Sequence, residues 1–293
     1  MMEQGAGSSM VDRLRRVVVC APEIAGWRDP EAFEQWERLG FQRMPDPEIA
    51  SLQHRQFCDR LAEAGADLVR LPVHRSLTLD AVYTHDASLA TDWGMIILRP
   101  GKVNRRAEAG RHRELCRSLG IPILGEIQTP GTAEGGDLLW LDRETLLLGR
   151  SYRTNREGLL QLREILEPKG VRVIPAPLPH ASGPSVCLHL MSIISLLDES
   201  TALVDLPWLA VETVELLADR GYRLIEIDVS ERETLACNVL ALGDGRLLAM
   251  QENTRTNRLL ENAGFSVRTF PGSELGIVGG GGPTCLTRPL ERR

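Results

Sequence analysis

From Gly136 to Ile174 the sequence reads GDLLWLDRETLLLGRSYRTNREGLLQLREILEPKGVRVI. Two apolar runs open it, Gly136–Leu141 and Thr145–Gly149. Both are short and bounded by turn residues, so both read as buried strands. Asn155–Leu166 then carries apolar residues at helical spacing. Gly170 stands where a helix C-cap belongs, and Val171–Ile174 is another short strand. The unit is strand, strand, helix, strand.

The same order recurs along the chain. Central strands are expected at Arg16–Cys20, Gly94–Leu98, Thr145–Gly149, Ala202–Asp205 and Arg246–Met250. Helices are expected at Arg105–Leu119, Asn155–Leu166, Pro207–Arg220 and Thr254–Ala263, ending near Gly120, Gly170, Gly221 and Gly264. Third strands follow at Ile121–Leu124, Val171–Ile174, Arg223–Ile227 and Ser266–Phe270. The leading segments are Tyr83–Ala90, Gly136–Leu141, Val186–Leu190, Ala236–Leu240 and Thr284–Thr287. The last leads back to Arg16–Cys20 and closes a ring. Five units of roughly 45–60 residues call for a repeat architecture. An ordinary doubly wound sheet shows the same alternation. The ring is favoured because Asp86, Glu134 and Asp137, His189, Asn238 and Cys285 fall in or beside successive leading segments. In a ring of such units those segments converge on the axis.

Bulk properties narrow the field. The 293 residues are 43% hydrophobic and 25% charged, as in a soluble globular protein. Lys+Arg 34 against Asp+Glu 40 gives a net charge of −6, which favours neither nucleic acid nor an anionic membrane. No run approaches the roughly 20 apolar residues of a membrane span. Residues 1–10 are Gly/Ser-rich and expected to be disordered, with 11–293 a single catalytic domain. Six scattered cysteines without C-x-x-C spacing suggest reduced thiols in a cytoplasm.

Five motifs carry chemistry. Gly279-Gly-Gly-Gly-Pro-Thr-Cys285 places a cysteine after four glycines, which suit a loop with unusual backbone angles and close approach to a ligand. The bland reading is a flexible tail. Cys187-Leu-His-Leu190 holds a histidine between apolar neighbours. Such a residue is more often core than catalyst, but a cysteine nucleophile needs an acid/base that titrates near neutrality. His85 is a second candidate; His54, His74, His112 and His180 have weaker claims. Gly131-Thr-Ala-Glu-Gly-Gly-Asp137 aims two carboxylates from a turn, or is a solvated β-turn. Tyr83-Thr-His-Asp-Ala-Ser88 leads to Arg99-Pro-Gly-Lys-Val-Asn-Arg-Arg106, and Gly149-Arg-Ser-Tyr-Arg-Thr-Asn155 adds further arginines. An arginine fork matches a carboxylate. Together with an acid for a guanidinium, it would read an amino acid with a cationic tail.

In this order the motifs resemble the guanidino-group-modifying enzymes, or penteins. These are five-bladed α/β-propellers of ββαβ units and include dimethylarginine dimethylaminohydrolases, arginine deiminases and amidinotransferases. The resemblance runs from about Tyr83 to the C-terminus. Before it there is a generic strand and a loop where the family keeps a mobile lid. The resemblance implies Cys285 as nucleophile, His189 as general acid/base and Glu134 as the acid orienting it. It implies Asp86 as guanidinium ligand, Arg105 and Arg153 as substrate-carboxylate clamps, and Tyr83 as an aromatic near the substrate. Asp137 joins the substrate-binding loop as a hydrogen-bonding brace.

Deiminases and amidinotransferases usually carry His-x-Asp, whereas His189-Leu-Met191 has methionine there. Losing that acid removes a charge-assisted bond of roughly 1.5–3 kcal/mol and leaves an apolar, adaptable wall. The reading is therefore dimethylarginine dimethylaminohydrolase, forming citrulline through an S-alkylthiouronium on Cys285. An arginine deiminase or dihydrolase, or an amidinotransferase, is the alternative; His85, where bacterial members often have a second acid, leaves the substrate open. The expected partners are a small guanidino amino acid and at most a second copy of the chain in a homodimer. No metal or other cofactor is required: a metalloenzyme using His85, His189 and the acids lacks ligand spacing. A ring-shaped binding module would lack the Cys/His/acid set.

Overall fold

The computed structural model describes residues 7–184 and 186–293. The first unit comprises β1 (Leu14–Val19), α1 (Pro30–Phe33), α2 (Pro47–Glu63) and β2 (Asp67–Arg70). Next come β3 (Ser88–Thr91), β4 (Gly94–Ile97), α3 (Arg106–Ser118) and β5 (Ile123–Glu126). The third unit is β6 (Leu138–Asp142), β7 (Thr145–Arg150), α4 (Arg156–Leu166) and β8 (Arg172–Pro177). The fourth is β9 (Ile194–Leu196), β10 (Thr201–Val204), α5 (Val211–Asp219) and β11 (Arg223–Glu226). The fifth is β12 (Leu240–Gly243), β13 (Arg246–Met250), α6 (Thr254–Asn262) and β14 (Ser266–Phe270); β15 (Arg288–Arg292) follows.

These strands form five three-stranded sheets, and in each the leading strand runs antiparallel to the central one and the central one parallel to the third. The sheet β15-β1-β2 joins the two ends: Val17 lies opposite Pro289 on one side and Leu68 on the other. The fold is the five-bladed α/β-propeller.

The continuous apolar runs have a physical reason. Leu138, Trp140, Leu146 and Leu148 pack with Leu89, Ile96 and the α4 residues Leu159 and Leu162. Their alternates Leu139, Leu141 and Leu147 pack with Leu190, Ile194 and Ala202 of the next unit. The sheet β6-β7-β8 is therefore apolar on both faces. Each fully buried leucine contributes about 1.5–3 kcal/mol. Asn155 caps α4 by accepting from Gly158 N at 2.8 Å. Gly170 ends that unit's helix at φ +82°, a conformation that disfavours any side chain.

Three expectations need correction. Val186–Leu190 and Thr284–Thr287 are not strands; their leading strands start later, at Ile194 after a 3₁₀ turn at Leu190–Ser192 and at Arg288. The first unit has the 17-residue α2, which the reading as a lid loop omitted. Of the segment 1–10 expected to be disordered, residues 1–6 lie outside the described residues. Residues 7 and 8 are packed: Ser8 is buried, and the Gly7 and Ser8 amides both donate to Asp92 Oδ1 at 2.9 Å. Among the described residues, no helix is long and apolar enough to cross a membrane.

Candidate active site

The reactive residues lie not on the leading strands but on the turns just before them. Asp86 belongs to a 3₁₀ turn at Thr84–Ala87 ahead of β3. Glu134 caps a turn at Gly135–Asp137 ahead of β6. His189 caps the turn ahead of β9, and Asn238 and Cys285 precede β12 and β15. These turns touch one another across the ring. Asp86 Oδ1 accepts from Gly136 N at 2.8 Å. Asp137 Oδ1 accepts from Leu190 N at 3.0 Å, and its Oδ2 from the Ser151 hydroxyl at 2.5 Å. The backbone amide of His85 donates to Cys285 O at 3.2 Å. Asp137 thereby ties the turn before β6 to the segments at Leu190 and Ser151.

Two glycines make this approach possible. A Cβ on Gly135 would sit 2.2 Å from His85 O, and one on Gly136 would sit 2.4 Å from His189 Nδ1. Only a residue without a side chain lets these turns close on one another.

His189 and Glu134 form a buried pair. His189 Nε2 lies 2.8 Å from Glu134 Oε2, with both residues buried. The other oxygen, Oε1, accepts from Lys102 N at 2.9 Å and faces Arg153 Nη1 at 3.5 Å. Burial alone would lower the His189 pKa, but Cys187, Asp86 and Asp137 together raise it well above the usual imidazole value. Burial likewise raises Glu134, and its hydrogen bond to His189 outweighs that and holds it low. The pair rests as imidazolium and carboxylate.

Cys285 is partly buried, and Asn238 Nδ2 donates to its sulfur at 3.1 Å. Burial pushes its thiol up to about 11, with Asp86 adding to the shift and His189 opposing it. The resting sulfur is a thiol beside an imidazolium.

The glycine run serves the protein rather than a ligand. Cβ atoms on Gly279 and Gly281 would lie 2.0 Å from the Tyr83 hydroxyl and 2.4 Å from its ring; one on Gly282 would lie 2.7 Å from Asn238 Oδ1. Of the four, Gly280 alone needs a left-handed backbone, at φ +81°. This also corrects the expectation for Tyr83. It is buried, its hydroxyl donates to Leu275 O at 2.9 Å, and its ring packs under the glycine loop that precedes Cys285, so it is a structural platform.

Arg105 is also corrected. It is 4% exposed. Its Nη1 donates to Asp86 Oδ2 at 2.5 Å, its Nε and Nη2 to Glu108 at 2.8 Å each, and Nη2 also to Tyr83 O at 2.6 Å. The guanidinium is engaged by the protein and is not presented to a substrate carboxylate. Arg153 differs: its one side-chain contact described is the 3.5 Å approach to Glu134, and it lines a small cleft with Tyr152, His180 and Leu188. Met191 is 3% exposed among Leu139, Leu190 and Ile194, so it is core and not a wall for a methylated nitrogen. His85 is no base either. Its Nδ1 donates to Thr287 O at 2.7 Å, and burial, helped by Arg288, holds it neutral.

Four residues near the site were given no role from sequence. Asn238 shares the placement of the other reactive residues. Lys102 lies within the Arg-Pro-Gly-Lys turn. Glu108 is three residues from Arg105, the spacing that pairs side chains on one helical face. Cys187 is two residues from His189, its sulfur 3.6 Å from both ring nitrogens.

Residues 79–212 and 205–292 match the arginine deiminase family. The chain belongs to that family. Its class is the hydrolases of C–N bonds in linear amidines. An N(G),N(G)-dimethylarginine dimethylaminohydrolase of Streptomyces coelicolor is 32% identical over 53% of this chain and 70% of its own. The enzyme of that name from Pseudomonas aeruginosa is 28% identical over 83% of this chain and 89% of its own. A solved structure of a dimethylarginine dimethylaminohydrolase from Pseudomonas aeruginosa, complexed with citrulline, superposes on this deiminase-family chain with a TM-score of 0.76. It is 25% identical and covers 94% of this chain and 99% of that one.

Proposed function

We propose that this protein hydrolyses a C–N bond of a methylated arginine guanidinium, giving citrulline and an amine through a covalent S-alkylthiouronium on Cys285. The observation that carries the reading is the meeting of Asp86, the Glu134–His189 pair and Cys285, which come from four different units. Asp86 is held ionised by His189 and Arg105 against its burial. It fixes the substrate guanidinium and keeps it charged, so its central carbon stays electrophilic.

The bound cation lowers the Cys285 pKa, and the thiol proton leaves to solvent. The thiolate adds to the guanidinium carbon, and His189 gives its proton to the departing amine. Neutral His189 then takes a proton from water, hydroxide attacks the thiouronium, and collapse expels citrulline and the Cys285 sulfur. Arg153 binds the substrate's α-carboxylate, a share the two clamps were expected to divide. All six cysteines are free, which supports a reducing compartment such as the cytoplasm. A single catalytic domain over residues 11–293 is part of the same reading.

The choice of a methylated substrate draws support from the two named relatives and none from the buried Met191. The family match favours a second reading, release of ammonia from unmodified arginine. Citrulline and amine release from arginine, monomethylarginine and asymmetric dimethylarginine decide between them. Highest kcat/KM on the dimethylated substrate is expected; preference for arginine would move the assignment to deiminase. Rates that require an added acceptor amine would mark an amidinotransferase.

The resting protonation states are testable apart from turnover. The thiolate fraction falls tenfold per pH unit below the thiol pKa, so alkylation of free Cys285 by a neutral haloacetamide is expected to climb with pH through 9 and level near 11. A plateau near pH 7 would mean a resting thiolate.

A further inference from the structure

Asn238 lies against the Cys285 sulfur, and the hydrolysis proposed above gives it no part. We propose that Asn238 is a further catalytic residue, whose Nδ2–H holds that sulfur as an anion both when it attacks and when it leaves. This role rests on Cys285 as the nucleophile and deepens that reading.

The geometry fixes which end of the side chain meets the sulfur. An amide side chain is ambiguous until its hydrogen bonds assign oxygen and nitrogen. Here Oδ1 accepts from Thr284 N at 3.0 Å, a group that only donates. Nδ2 is therefore the atom facing the Cys285 sulfur, at 3.1 Å. Among the described residues, no other hydrogen-bond donor reaches that sulfur. Asn238 is buried, and one hydroxyl clamps the backbone on both sides of it. Ser195 Oγ donates to Cys237 O at 2.7 Å and accepts from Val239 N at 3.3 Å. The turn that delivers Asn238 passes through Leu235 at φ +61°, a strained value for a bulky side chain, and strain of this kind gathers at functional sites.

The titratable groups facing the sulfur pull in both directions. Asp86 and Cys187 oppose a thiolate, His189 favours it, and the buried Tyr83 lies close by. His189 passes its proton on during the reaction, whereas the amide N–H does not titrate. It stays on the sulfur while the C–S bond forms. It is still there when that bond breaks and the electron pair returns to sulfur. A hydrogen bond is stronger to a charged acceptor, so the free thiolate gains more from it than the thiouronium does.

The test is alkylation by a neutral haloacetamide, read by mass at the peptide holding Cys285, which needs no substrate. Wild type is compared with Asn238→Ala and Asn238→Asp from about pH 9 upward, where an aspartate is ionised. Asn238→Asp keeps an oxygen for the Thr284 amide, and with it the position of the loop, but presents an acceptor to the sulfur. Loss of one charge-assisted bond should raise the thiol midpoint by about one to two pH units. The less acidic thiolate is the better nucleophile, which offsets about half of that. Alkylation below the midpoint is therefore expected to fall about 3- to 10-fold in Asn238→Ala, and at least as far in Asn238→Asp. The deficit should shrink above about pH 11, where wild type levels off and the variants still climb. Wild-type rates in Asn238→Ala would show that the N–H has no hold on the sulfur. Wild-type rates in Asn238→Asp would show that the side chain only positions the loop. A deficit equal at every pH would mean blocked access. Each of these would overturn the role. Should Asn238→Ala fail to fold, the same-sized Asn238→Asp carries the test alone. Turnover of a guanidino substrate is expected to fall in both variants. If none turns over in wild type, the functional reading fails while alkylation still decides whether Asn238 stabilises the thiolate.

Discussion

Arg105 and Arg153 occupy equivalent places in successive units. Each lies between a central strand and the helix that follows, Arg105 just before α3 and Arg153 shortly before α4. By motif they are a matched pair of clamps. In the fold they are opposites. Arg105 is closed inside the protein between Asp86 and Glu108, with Tyr83 O as a further acceptor. Arg153 makes one long approach to Glu134 beside a cleft. A guanidinium is available to a ligand only to the extent that its N–H groups are not already satisfied. The α3 residue Glu108 makes the difference, and α4 places no such acid on Arg153.

The largest expected effect follows from breaking the buried member. Arg105→Ala takes from the buried carboxylates of Asp86 and Glu108 the cation they share, which costs about 3–5 kcal/mol. A large drop in the denaturation midpoint together with loss of turnover is expected. A stable variant with only a raised KM would restore Arg105 to the clamp. Arg153→Ala should leave the midpoint nearly unchanged. It should raise KM for carboxylate-bearing guanidines by about 10- to 100-fold, the worth of one charge-assisted bond of about 1.5–3 kcal/mol. Unchanged KM would remove Arg153 from the substrate site. The smallest effect belongs to Arg153→Lys, which keeps a point charge but loses the planar fork. A KM between those of wild type and Arg153→Ala is expected, with kcat held; a KM no better than alanine's would mean that two-pronged geometry, not charge, does the binding.

The arrangement of units from Tyr83 onward was legible because both strand faces are buried, and long apolar runs bounded by glycines cannot be mistaken. The helices and third strands there lie within a few residues of their expected places. The first unit was not legible for the opposite reason. Its helix α2 buries Gln53 and His54 beside Ala50, Phe57 and Leu61, which blurs the apolar stripe. Those polar groups have a purpose. Gln53 Oε1 accepts from the Glu274 and Leu275 amides, steadying the turn that leads to the glycine run. The helix start was still marked, by Asp46 accepting from Glu48 N and Ile49 N ahead of Pro47.

At the site, the sequence order of motifs indicated which residue types to expect but not which face each would present. Tyr83 and Met191 are apolar residues beside reactive ones, and nothing in a one-dimensional pattern distinguishes a substrate wall from core. The packing partners decide it: Gly279 and Gly281 over the Tyr83 ring, Leu139 and Ile194 around Met191. Glu108 could have been found, since its spacing from Arg105 is that of an ion pair on a helix.

The most direct measurement is mass analysis of the covalent intermediate. Enzyme turning over a slow guanidino substrate is quenched in acid, digested and mapped. The account predicts that the peptide holding Cys285 gains the mass of the substrate less its departing amine, and that Cys285→Ser shows neither adduct nor citrulline. An adduct on Cys187, or citrulline formed by Cys285→Ser, would contradict it.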